Sequence, residues 1–450
     1  MLVSGVAARC ACNVRQLVQV MRMSTLQPVA AKAIPPSTEA IIHPGEKLVD
    51  PPYMSQKQMT DYSNLPATVN PAVISQIAAK ISSGYAESFF VCDLGQLRVR
   101  HQLWEQHLPR VQPFYAVKCN DDLRVLQTLA SLGCGFDCAS LKEIDSVLDL
   151  VADPARDIIF ANPCKQQSHI EHARQSGVSL MTFDNEDEVQ KIRALYPEAK
   201  GVIRLATDDV DAVCQLSCKF GAQPDEVSPL LRLAKSEGLD VVGVSFHCGS
   251  GNQNETVYVD AMDRASQAFQ CGAQEGFHFT LLDIGGGFPG HTDEDHIFAA
   301  IAGAMTPYFD DFGADVRIIG EPGRFFAASI QTLASRVYSF KQQVDGTFVY
   351  YINDGVYGSF NNILYDHANP IPRKLSLSDV NAAKPDVDNT FPSTIYGPTC
   401  DGLDCIAKSV LLPKMTNNDW FFFENMGAYT NVGGSEFNGM PRPQFEYMDE

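Results

Sequence analysis

The sequence predicts an α/β protein, a (β/α)8 TIM barrel followed by a C-terminal domain that is mainly β. From residue 88 onward, short apolar runs alternate with stretches that have the hydrophobic period of helices. Eight such runs occur before residue 321, and strands that alternate with helices form parallel sheets through right-handed crossovers. Because eight parallel strands can close into a barrel, we favour a barrel over an open doubly wound sheet.

The predicted elements follow one another along the chain. The barrel strands are residues 114–117, 135–138, 158–161, 180–183, 202–206, 241–246, 281–284 and 316–320. The helices between them are residues 123–132, 140–150, 185–194, 225–237, 255–274 and 293–312. Beyond residue 334 we predict the strands 337–341, 347–352, 395–396, 404–410 and 420–423, with a polar loop at 370–392.

The chain divides into four parts. These are a leader (1–54), a segment that adds to the β domain (55–90), the barrel that binds the cofactor (91–332) and the C-terminal β domain (333–450). A chain can start and end in one domain because termini often lie close together. Residues 1–38 contain four basic side chains and no acid. That composition fits either an organelle transit peptide or a disordered leader.

Composition limits the classes of function. The 450 residues include 34 basic and 54 acidic side chains, which gives a net charge of −20. An acidic surface repels phosphate backbones, so we expect neither nucleic acid nor membrane as a partner. No apolar run reaches the roughly 18 residues of a membrane span. The 13 cysteines have no regular spacing, which is typical of reduced thiols in a cytoplasmic protein.

A lysine ends the first predicted barrel strand, in the run PFYAVKCN. If the rim of the sheet is apolar and enclosed, desolvation lowers the pKa of Lys118 and makes its amine a competent imine-former. The alternative is a strand-end lysine that points into water, as most lysines do. The residues at the other strand ends decide between these two interpretations.

Barrel enzymes keep their chemistry at the carboxyl ends of the strands. The residues predicted there are Asp137, Arg204, His247, Ser250, Gly285, Gly286, Gly287, Glu321 and Arg324. A glycine run lets the backbone approach an anion, and with Arg324 it predicts a phosphate cup, although such a run can also be a tight turn. Lysine, cup and carboxylate together suit pyridoxal 5'-phosphate, with Glu321 beside the ring nitrogen. His247 stacks on the ring or is a structural histidine, and both alternatives stay open.

Nine motifs together resemble the eukaryotic ornithine decarboxylases across residues 85–445. They are PFYAVKCN, GFDCAS, FANPCK, SFHCGSGNQN, LLDIGGGFPG, GEPGRFFAAS, YINDGVYGSFNNILYDH, YGPTCDGLD and ENMGAYT. The resemblance implies a pyridoxal-phosphate enzyme that converts L-ornithine to putrescine and CO2, the entry step of polyamine biosynthesis. It also implies an obligate homodimer whose active sites form between subunits, and it implies no metal.

The resemblance assigns roles to matching positions. Lys118 is the imine-forming lysine, His247 stacks on the ring and Glu321 pairs with the ring nitrogen. The phosphate is held by Ser250, Gly285, Gly286, Gly287, Arg324 and Tyr429. Asp354 and Asp401 bind the distal ammonium of the substrate, Cys400 protonates Cα and Phe437 lines the site. Asp137, Glu143, Arg204 and Lys219 support the lysine, the cofactor or the dimer.

These roles agree with physical expectation. A distal ammonium needs desolvated carboxylates, and a thiol in a glycine-flanked turn is a weak acid that can deliver a proton. From the residues alone, however, we would favour a turn aspartate for Asp401 in TCDG.

Two segments depart from the family pattern. KQQSHIEHARQSG replaces a basic antizyme-binding segment, so we expect weaker antizyme binding, and Gln215 replaces an arginine.

Two competing functions remain. One is a non-catalytic regulator like the antizyme inhibitors, which have lost residues needed for cofactor binding. The other is a decarboxylase of the same fold that acts on lysine, arginine or diaminopimelate. Diaminopimelate would need a basic group for its second carboxylate, where Asp401 offers the opposite charge. Lysine has one more methylene than ornithine, which apolar contacts discriminate only about 10- to 200-fold.

Overall fold

The computed structural model describes residues 59–62, 68–375 and 389–449. The strands are β1 (Thr60–Asp61), β2 (Phe89–Asp93), β3 (Val111–Ala116), β4 (Gly135–Cys138), β5 (Ile158–Phe160), β6 (Leu180–Phe183), β7 (Lys200–Leu205), β8 (Asp240–Phe246), β9 (Leu281–Asp283), β10 (Arg317–Gly320), β11 (Gln331–Gln342), β12 (Phe348–Ile352), β13 (Arg373–Leu375), β14 (Thr390–Tyr396), β15 (Cys405–Pro413), β16 (Trp420–Phe423) and β17 (Gln444–Met448). The helices are α1 (Pro71–Ser82), α2 (Leu94–His107), α3 (Leu123–Ser131), α4 (Leu141–Leu148), α5 (Pro154–Asp157), α6 (Gln167–Gln175), α7 (Glu186–Leu195), α8 (Val227–Glu237), α9 (Glu255–Glu275), α10 (Asp295–Met305), α11 (Arg324–Ala327) and α12 (Asn362–Tyr365). The predicted leader lies outside the described residues, as does the middle of the predicted polar loop.

Strands β3 to β10 are parallel and close into a barrel, in which β10 pairs with β3. The predicted barrel is confirmed, and all eight predicted strands are present with small shifts at their ends. These strands are covered by helices outside and side chains inside, which explains why each one is an almost continuous apolar run. The alternative of an open doubly wound sheet is wrong.

Helix boundaries follow local capping chemistry. Helix α9 begins after Asn254, whose side chain accepts a hydrogen bond from the amide of Thr256. It ends at Gly276, which has a φ of 83° that glycine tolerates better than other residues. The predicted helix 255–274 is therefore one residue short. Helix α6 was not predicted, because only Ile170 and Ala173 of its nine residues are buried.

The barrel interior has an apolar layer and, one step nearer the carboxyl ends, a polar one. The apolar layer includes Phe114, Leu281 and Ile319. Because alternate residues of a strand face the same side, the side chains two positions further along also point inward. We call these five residues the polar layer: Asp137, Arg204, Ser245, Asp283 and Glu321. Four of them are buried, and Arg204 is half-buried.

The second part of the fold is a nine-stranded mixed sheet. Its strands run in the order β1-β15-β14-β12-β11-β16-β13, and β2 pairs with both β11 and β17. The N-terminal strands β1 and β2 thus lie in the same sheet as the C-terminal ones, and the four-part division of the chain stays a prediction. Residues 370–392 were predicted as a loop, but β13 and the start of β14 lie within them.

Two connections place the sheet domain against the barrel rim. Strand β11 follows the end of the barrel after one short helix, α11. A loop that follows β16 returns to the rim, where the amide of Tyr429 donates to the Cys119 carbonyl oxygen at 2.9 Å. The Asn120 side chain donates to the carbonyl oxygen of Gly427 at 2.7 Å. Within the described ranges, no helix is both long and apolar enough to cross a bilayer.

Candidate active site

Lys118 lies at the carboxyl end of β3, in a single 3-10 turn, Val117–Cys119, rather than on the strand itself. Its ammonium forms an ion pair with Asp137, whose side chain is fully buried on β4. Strand register brings Lys118 and Asp137 together, because Ala116 pairs with Asp137 across β3 and β4. The structure therefore places the lysine on the rim, above the polar layer.

The charge state of Lys118 differs from the expectation. Burial alone lowers the pKa of Lys118, but Asp137, Glu321 and Tyr429 raise it, and the net shift is upward. The condition for a lowered pKa, an apolar and enclosed rim, is therefore not met, because acidic groups lie beside Lys118 and its side chain is 41% exposed. Two carboxylates hold the lysine as an ammonium, and Asp137 is the base within reach that can accept its proton.

The glycine run 285–287 follows β9 and turns tightly against the neighbouring loops. Gly285 and Gly287 have φ values of 62° and 102°. A Cβ at Gly285 would collide with the carbonyl oxygen of Phe246, and one at Gly287 with that of Gly249. A side chain is thus excluded at both positions, as a backbone cup for an anion requires.

We expect Gly287→Ala to lower the free energy of unfolding by about 2–4 kcal/mol, since the new Cβ adds a clash to a strained φ. Affinity for the phosphate group should fall with it. Gly303→Ala is the matched control, because Gly303 lies in α10 and an added Cβ there would meet no atom within 4 Å. That variant should stabilise the protein by about 1 kcal/mol or less. Thermal unfolding would measure the stability of both variants, and cofactor titration would measure their affinity for the phosphate group. Equal stability and affinity in the two variants would contradict the phosphate cup.

Arg324 begins α11 beside the glycine run. Its guanidinium donates to Ser250 Oγ at 2.9 Å and lies over the ring of Tyr429, 5.2 Å from the centroid. It also forms a two-pronged ion pair with Asp366, at 2.6 and 2.8 Å, and sequence reasoning missed this partner. Arg324 Nε has no hydrogen-bond partner within the described ranges, so one donor is free for an anion.

A cavity of about 400 Å³ opens beside Arg324 and Asp366. It is lined by both the barrel and the sheet domain, including Gly251 and Met426. Lys118 does not line it, so this cavity lies behind the phosphate cup and is not where a substrate would meet the lysine.

Glu321 follows β10 and belongs to the polar layer. Burial raises the pKa of Glu321 well above its ordinary value, and the nearby Asp137 and Asp283 raise it further. Its Oε1 atom has no hydrogen-bond partner among the described residues. An unpaired buried carboxyl oxygen is costly unless something meets it, and a protonated ring nitrogen would do so.

His247 lies one residue beyond β8, between the lysine and the cup. Burial lowers the pKa of His247 well below its ordinary value, and the positive charges of Arg204 and Lys118 lower it further. The ring is therefore neutral. Its Nδ1 accepts a hydrogen bond from the amide of Gly249 at 3.0 Å, which leaves the proton on Nε2. A neutral, oriented ring suits stacking better than it suits ion pairing.

A second group of predicted site residues lies in the sheet domain. We call it the Cys400 cluster: Cys400, Asp401, Tyr357, Phe437 and Asn438. The Tyr357 hydroxyl donates to Asp401 Oδ2, and this bond lowers the pKa of Asp401. The rings of Tyr357 and Phe437 stack at 4.3 Å, and Cys400 N donates to Asn438 Oδ1 at 3.0 Å. Cys400 is exposed.

The structure brings together the rim residues and, separately, the Cys400 cluster. Lys118, Asp137, Arg204, His247, Ser250, the glycine run, Glu321, Arg324 and Tyr429 lie on one barrel rim. Among the described residues, the hydrogen bonds of Cys400 and Asp401 are with their own cluster and with Leu403 and Asp404. One chain therefore presents two half-sites.

Three further predicted residues have other contacts. Asp354 is buried, and its Oδ1 accepts from the amides of Gly355 and Ser359, which holds a turn, while its Oδ2 has no hydrogen-bond partner among the described residues. Burial raises the pKa of Asp354 to about 6. Glu143 accepts a hydrogen bond from the amide of Ala139 at 2.6 Å, just beyond the carboxyl end of β4, and lies near enough to Asp137 and Lys118 to interact with their charges. Lys219 is exposed, 4.8 Å from the ring centroid of Phe220.

The rim residues fit pyridoxal phosphate. A phosphate is bound by backbone that can come close to it and by a guanidinium N–H that is not already paired. The glycine run provides the first and Arg324 Nε the second. A pyridine ring nitrogen needs a carboxylate, and Glu321 Oε1 has no other partner among the described residues. These observations define a pyridoxal-phosphate enzyme of the barrel type, known as fold type III.

Comparison with known proteins identifies the family. The family model described as the pyridoxal binding domain of pyridoxal-dependent decarboxylases matches residues 94–328. The ornithine decarboxylase of Mus pahari is 48% identical over 383 residues, 82% of each chain. The chain belongs to the pyridoxal-dependent decarboxylases, in the group of the eukaryotic ornithine decarboxylases. Antizyme inhibitor 2 of Xenopus laevis is 45% identical over 376 residues, 80% of this chain and 81% of the relative.

Solved structures agree with the fold. The arginine decarboxylase of Paramecium bursaria Chlorella virus has a TM-score of 0.79 at 36% identity, covering 84% of this chain and 100% of that one. The lysine/ornithine decarboxylase of Vibrio vulnificus, complexed with putrescine, has a TM-score of 0.76 at 28% identity, covering 85% and 99%. The predicted cofactor and fold class are confirmed.

Proposed function

We propose that this protein decarboxylates L-ornithine to putrescine and CO2, the entry step of polyamine biosynthesis. The observation that carries the proposal is the meeting of Lys118, the glycine run and the unpaired Glu321 carboxyl on one barrel rim. The match to a eukaryotic ornithine decarboxylase over 82% of each chain supports the substrate.

The rim residues would hold the cofactor in one orientation. Lys118 would hold the cofactor at its aldehyde group, with Asp137 placed to accept the proton of the lysine, and the neutral His247 ring would stack on the cofactor ring. Ser250, Arg324, Tyr429 and the glycines would hold the phosphate. Glu321 would pair with the ring nitrogen and keep it protonated. Bound pyridoxal phosphate supplies the electron sink for the electron pair that remains at Cα when the carboxylate leaves.

The Cys400 cluster supplies a carboxylate for the substrate ammonium and an acid for Cα. Asp401 stays ionised because Tyr357 hydrogen-bonds to it, so it can bind the distal ammonium of ornithine. Cys400 is exposed and adjacent, and it delivers the proton to Cα. Phe437 lines the apolar part of the substrate. A role for Asp354 in binding the ammonium stays a prediction, since its Oδ1 holds a turn and its Oδ2 is the oxygen without a hydrogen-bond partner among the described residues.

The two half-sites lead us to propose a homodimer with shared active sites. In each site the rim would come from one subunit and the Cys400 cluster from the other, because the hydrogen bonds of Cys400 and Asp401 within the described part of the chain involve no rim residue. An isologous dimer would form two equivalent sites in this way.

A carbon-dioxide release assay with ornithine, lysine and arginine side by side tests the substrate. We expect ornithine to be preferred over lysine by about 10- to 200-fold, the discrimination available from one methylene. Arginine should be decarboxylated more slowly than ornithine, because its guanidinium group is planar and bulkier than the ammonium that Asp401 is proposed to bind. Preference for lysine or arginine would overturn the ornithine assignment, and it would agree instead with the bacterial or viral structures described above.

A non-catalytic regulator is the second candidate, since antizyme inhibitor 2 of Xenopus laevis is a relative. The complete rim and the intact Cys400 cluster favour the enzyme. Antizyme binding stays weakly supported, because in the segment 165–177 Lys165 is buried against Glu188 at 2.7 Å and His172 pairs with Asp145. Few positive charges of that segment are free to attract an acidic partner.

We also propose a cytoplasmic location. The 11 cysteines within the described ranges are free thiols, which agrees with a reducing compartment. An organelle location directed by residues 1–38 remains the alternative, and those residues lie outside the described part of the chain.

A further inference from the structure

The polar layer contains a concentration of unsatisfied atoms. Asp137 Oδ1, Ser245 Oγ, Asp283 Oδ2 and Glu321 Oε1 are all buried without a hydrogen-bond partner among the described residues. All four side chains point into the same level of the barrel. Buried polar groups are normally paired, so this level must be organised by protons or ligands that ordinary donors do not account for.

Asp283 is the member of this layer with no assigned role. It ends β9 and is fully buried, and its Oδ1 accepts a hydrogen bond from the amide of Gly285 at 2.9 Å. The carbonyl oxygen of the same glycine accepts from the amide of Glu321 at 2.6 Å. Gly285 thus ties the backbones of the two acidic residues together at the start of the phosphate cup.

Asp283 ends β9 and Glu321 follows β10, the strand paired with it, and the Glu321 side chain acts on Asp283 as a hydrogen-bond donor that lowers its pKa. Ionised carboxylates only accept hydrogen bonds, so the unpartnered oxygens of Asp283 and Glu321 can pair with each other only if one carboxyl carries a proton. Among the described residues, the three carboxyls of the polar layer, Asp137, Asp283 and Glu321, are balanced by two cations, Lys118 and Arg204. The neighbour His247 is neutral, and Glu143 adds a further acidic group beside Lys118 and Asp137. The buried group therefore has more carboxyls than cations, which favours one retained proton.

The pKa shifts of Asp283 and Glu321 agree with a retained proton. Burial raises the pKa of Asp283 to about 7, although the Gly285 amide and Glu321 lower it, and Asp137 raises it further. Burial raises the pKa of Glu321 in the same sense. Like carboxyls that share a site titrate as a pair, and one of the two protons is held to high pH.

We propose that Asp283 is a positioning residue that holds Glu321 through one shared proton and thereby fixes the carboxyl that meets the ring nitrogen. The proposal rests on the role of Glu321 in the proposed function. Because Asp283 also binds the Gly285 amide, it sets the phosphate cup and the ring-nitrogen partner in one fixed relation.

Infrared difference spectroscopy of the cofactor-free protein tests the shared proton directly. At neutral pH we expect the carbonyl stretch of one protonated carboxylic acid, lost in both Asp283→Asn and Glu321→Gln. Asp354→Asn is the control, because Asp354 is another buried carboxyl with a raised pKa, and it should keep the band. A band that survives in either Asp283→Asn or Glu321→Gln, or that is absent from the unmodified protein, would overturn the proposal.

Cofactor labelled with ¹⁵N at the ring nitrogen tests the positioning role. Asn keeps the oxygen for Gly285 and donates an N–H to Glu321 as a protonated Asp does, so Asp283→Asn should keep the ring nitrogen protonated. Asp283→Ala should lose that protonation and lower kcat by about 10- to 100-fold, as for groups that orient a ligating residue, with little change in KM. Equal ring-nitrogen spectra for the Asn and Ala variants would contradict the role.

Two further outcomes separate the possible failures. If Asp283→Ala only weakens cofactor binding and leaves the ring nitrogen unchanged, Asp283 merely caps the glycine turn and the proposal is wrong. If Glu321→Gln leaves the ring nitrogen protonated, the assigned role of Glu321 fails, and the infrared result still decides whether the proton is shared. The Asn variant keeps shape and hydrogen bonds, so the test does not depend on the folding of the Ala variant.

Discussion

Lys118→Ala is expected to lower the rate of CO2 release from ornithine by about 10³-fold or more, the scale seen when a member of a catalytic unit is removed. The visible absorbance of the lysine-bound cofactor should disappear with it. The reason is chemical, because Lys118 is the lysine that would bind the aldehyde group of the cofactor, and alanine has no amine to replace it. Absorbance spectra and the CO2 assay measure the two effects on one sample.

Removing Lys118 also leaves a buried carboxylate without its cation, and this side effect needs a control. Asp137 is fully buried and ion-paired with Lys118, so Lys118→Ala should destabilise the fold as well. The double variant Lys118→Ala with Asp137→Asn removes both charges and should recover stability but not activity. Lys142→Ala, at a side chain that is 85% exposed, should leave both unchanged. Activity that returns with stability in the double variant would show that Lys118 is only structural.

The barrel could be predicted because its strands have a strong local signal. A parallel strand that is buried on both faces must be largely apolar, and the barrel strands β3 to β10 meet that condition apart from polar residues near their ends. The glycine run was visible for a similar reason, since collisions with backbone oxygens exclude any side chain there. The order of the nine motifs then allowed the substrate and the cofactor to be predicted.

Other features depend on neighbours far away in sequence. The raised pKa of Lys118 comes from Asp137 and Glu321, and no pattern near the lysine reveals either one. Asp366 is 42 residues from Arg324, and Asp283 was counted as part of an apolar strand. Strand β17 was missed because its residues are half-buried or exposed, and its pairing with β2 is a tertiary contact that leaves little local pattern.

The proposed shared active site predicts the second large effect. A mixture of Lys118→Ala and Cys400→Ala proteins, each inactive alone, should recover about a quarter of the unmodified activity after subunit exchange. Random exchange makes half of the dimers mixed, and each mixed dimer holds one intact site of two, since the intact rim of one subunit meets the intact Cys400 cluster of the other. Removal of a general acid costs about 10²- to 10⁴-fold, so the background from either parent is small.

The matched control combines two rim variants. Lys118→Ala mixed with Arg324→Ala should recover nothing, because each site of the mixed dimer then contains one damaged rim. Differently tagged subunits, recovered together, would show that exchange took place in both mixtures. If both half-sites came from one subunit, neither mixture would gain activity. Recovery in the first mixture alone therefore requires that Cys400 reaches across the interface to the lysine of the partner subunit, since no arrangement within a single chain produces an intact site from these two variants.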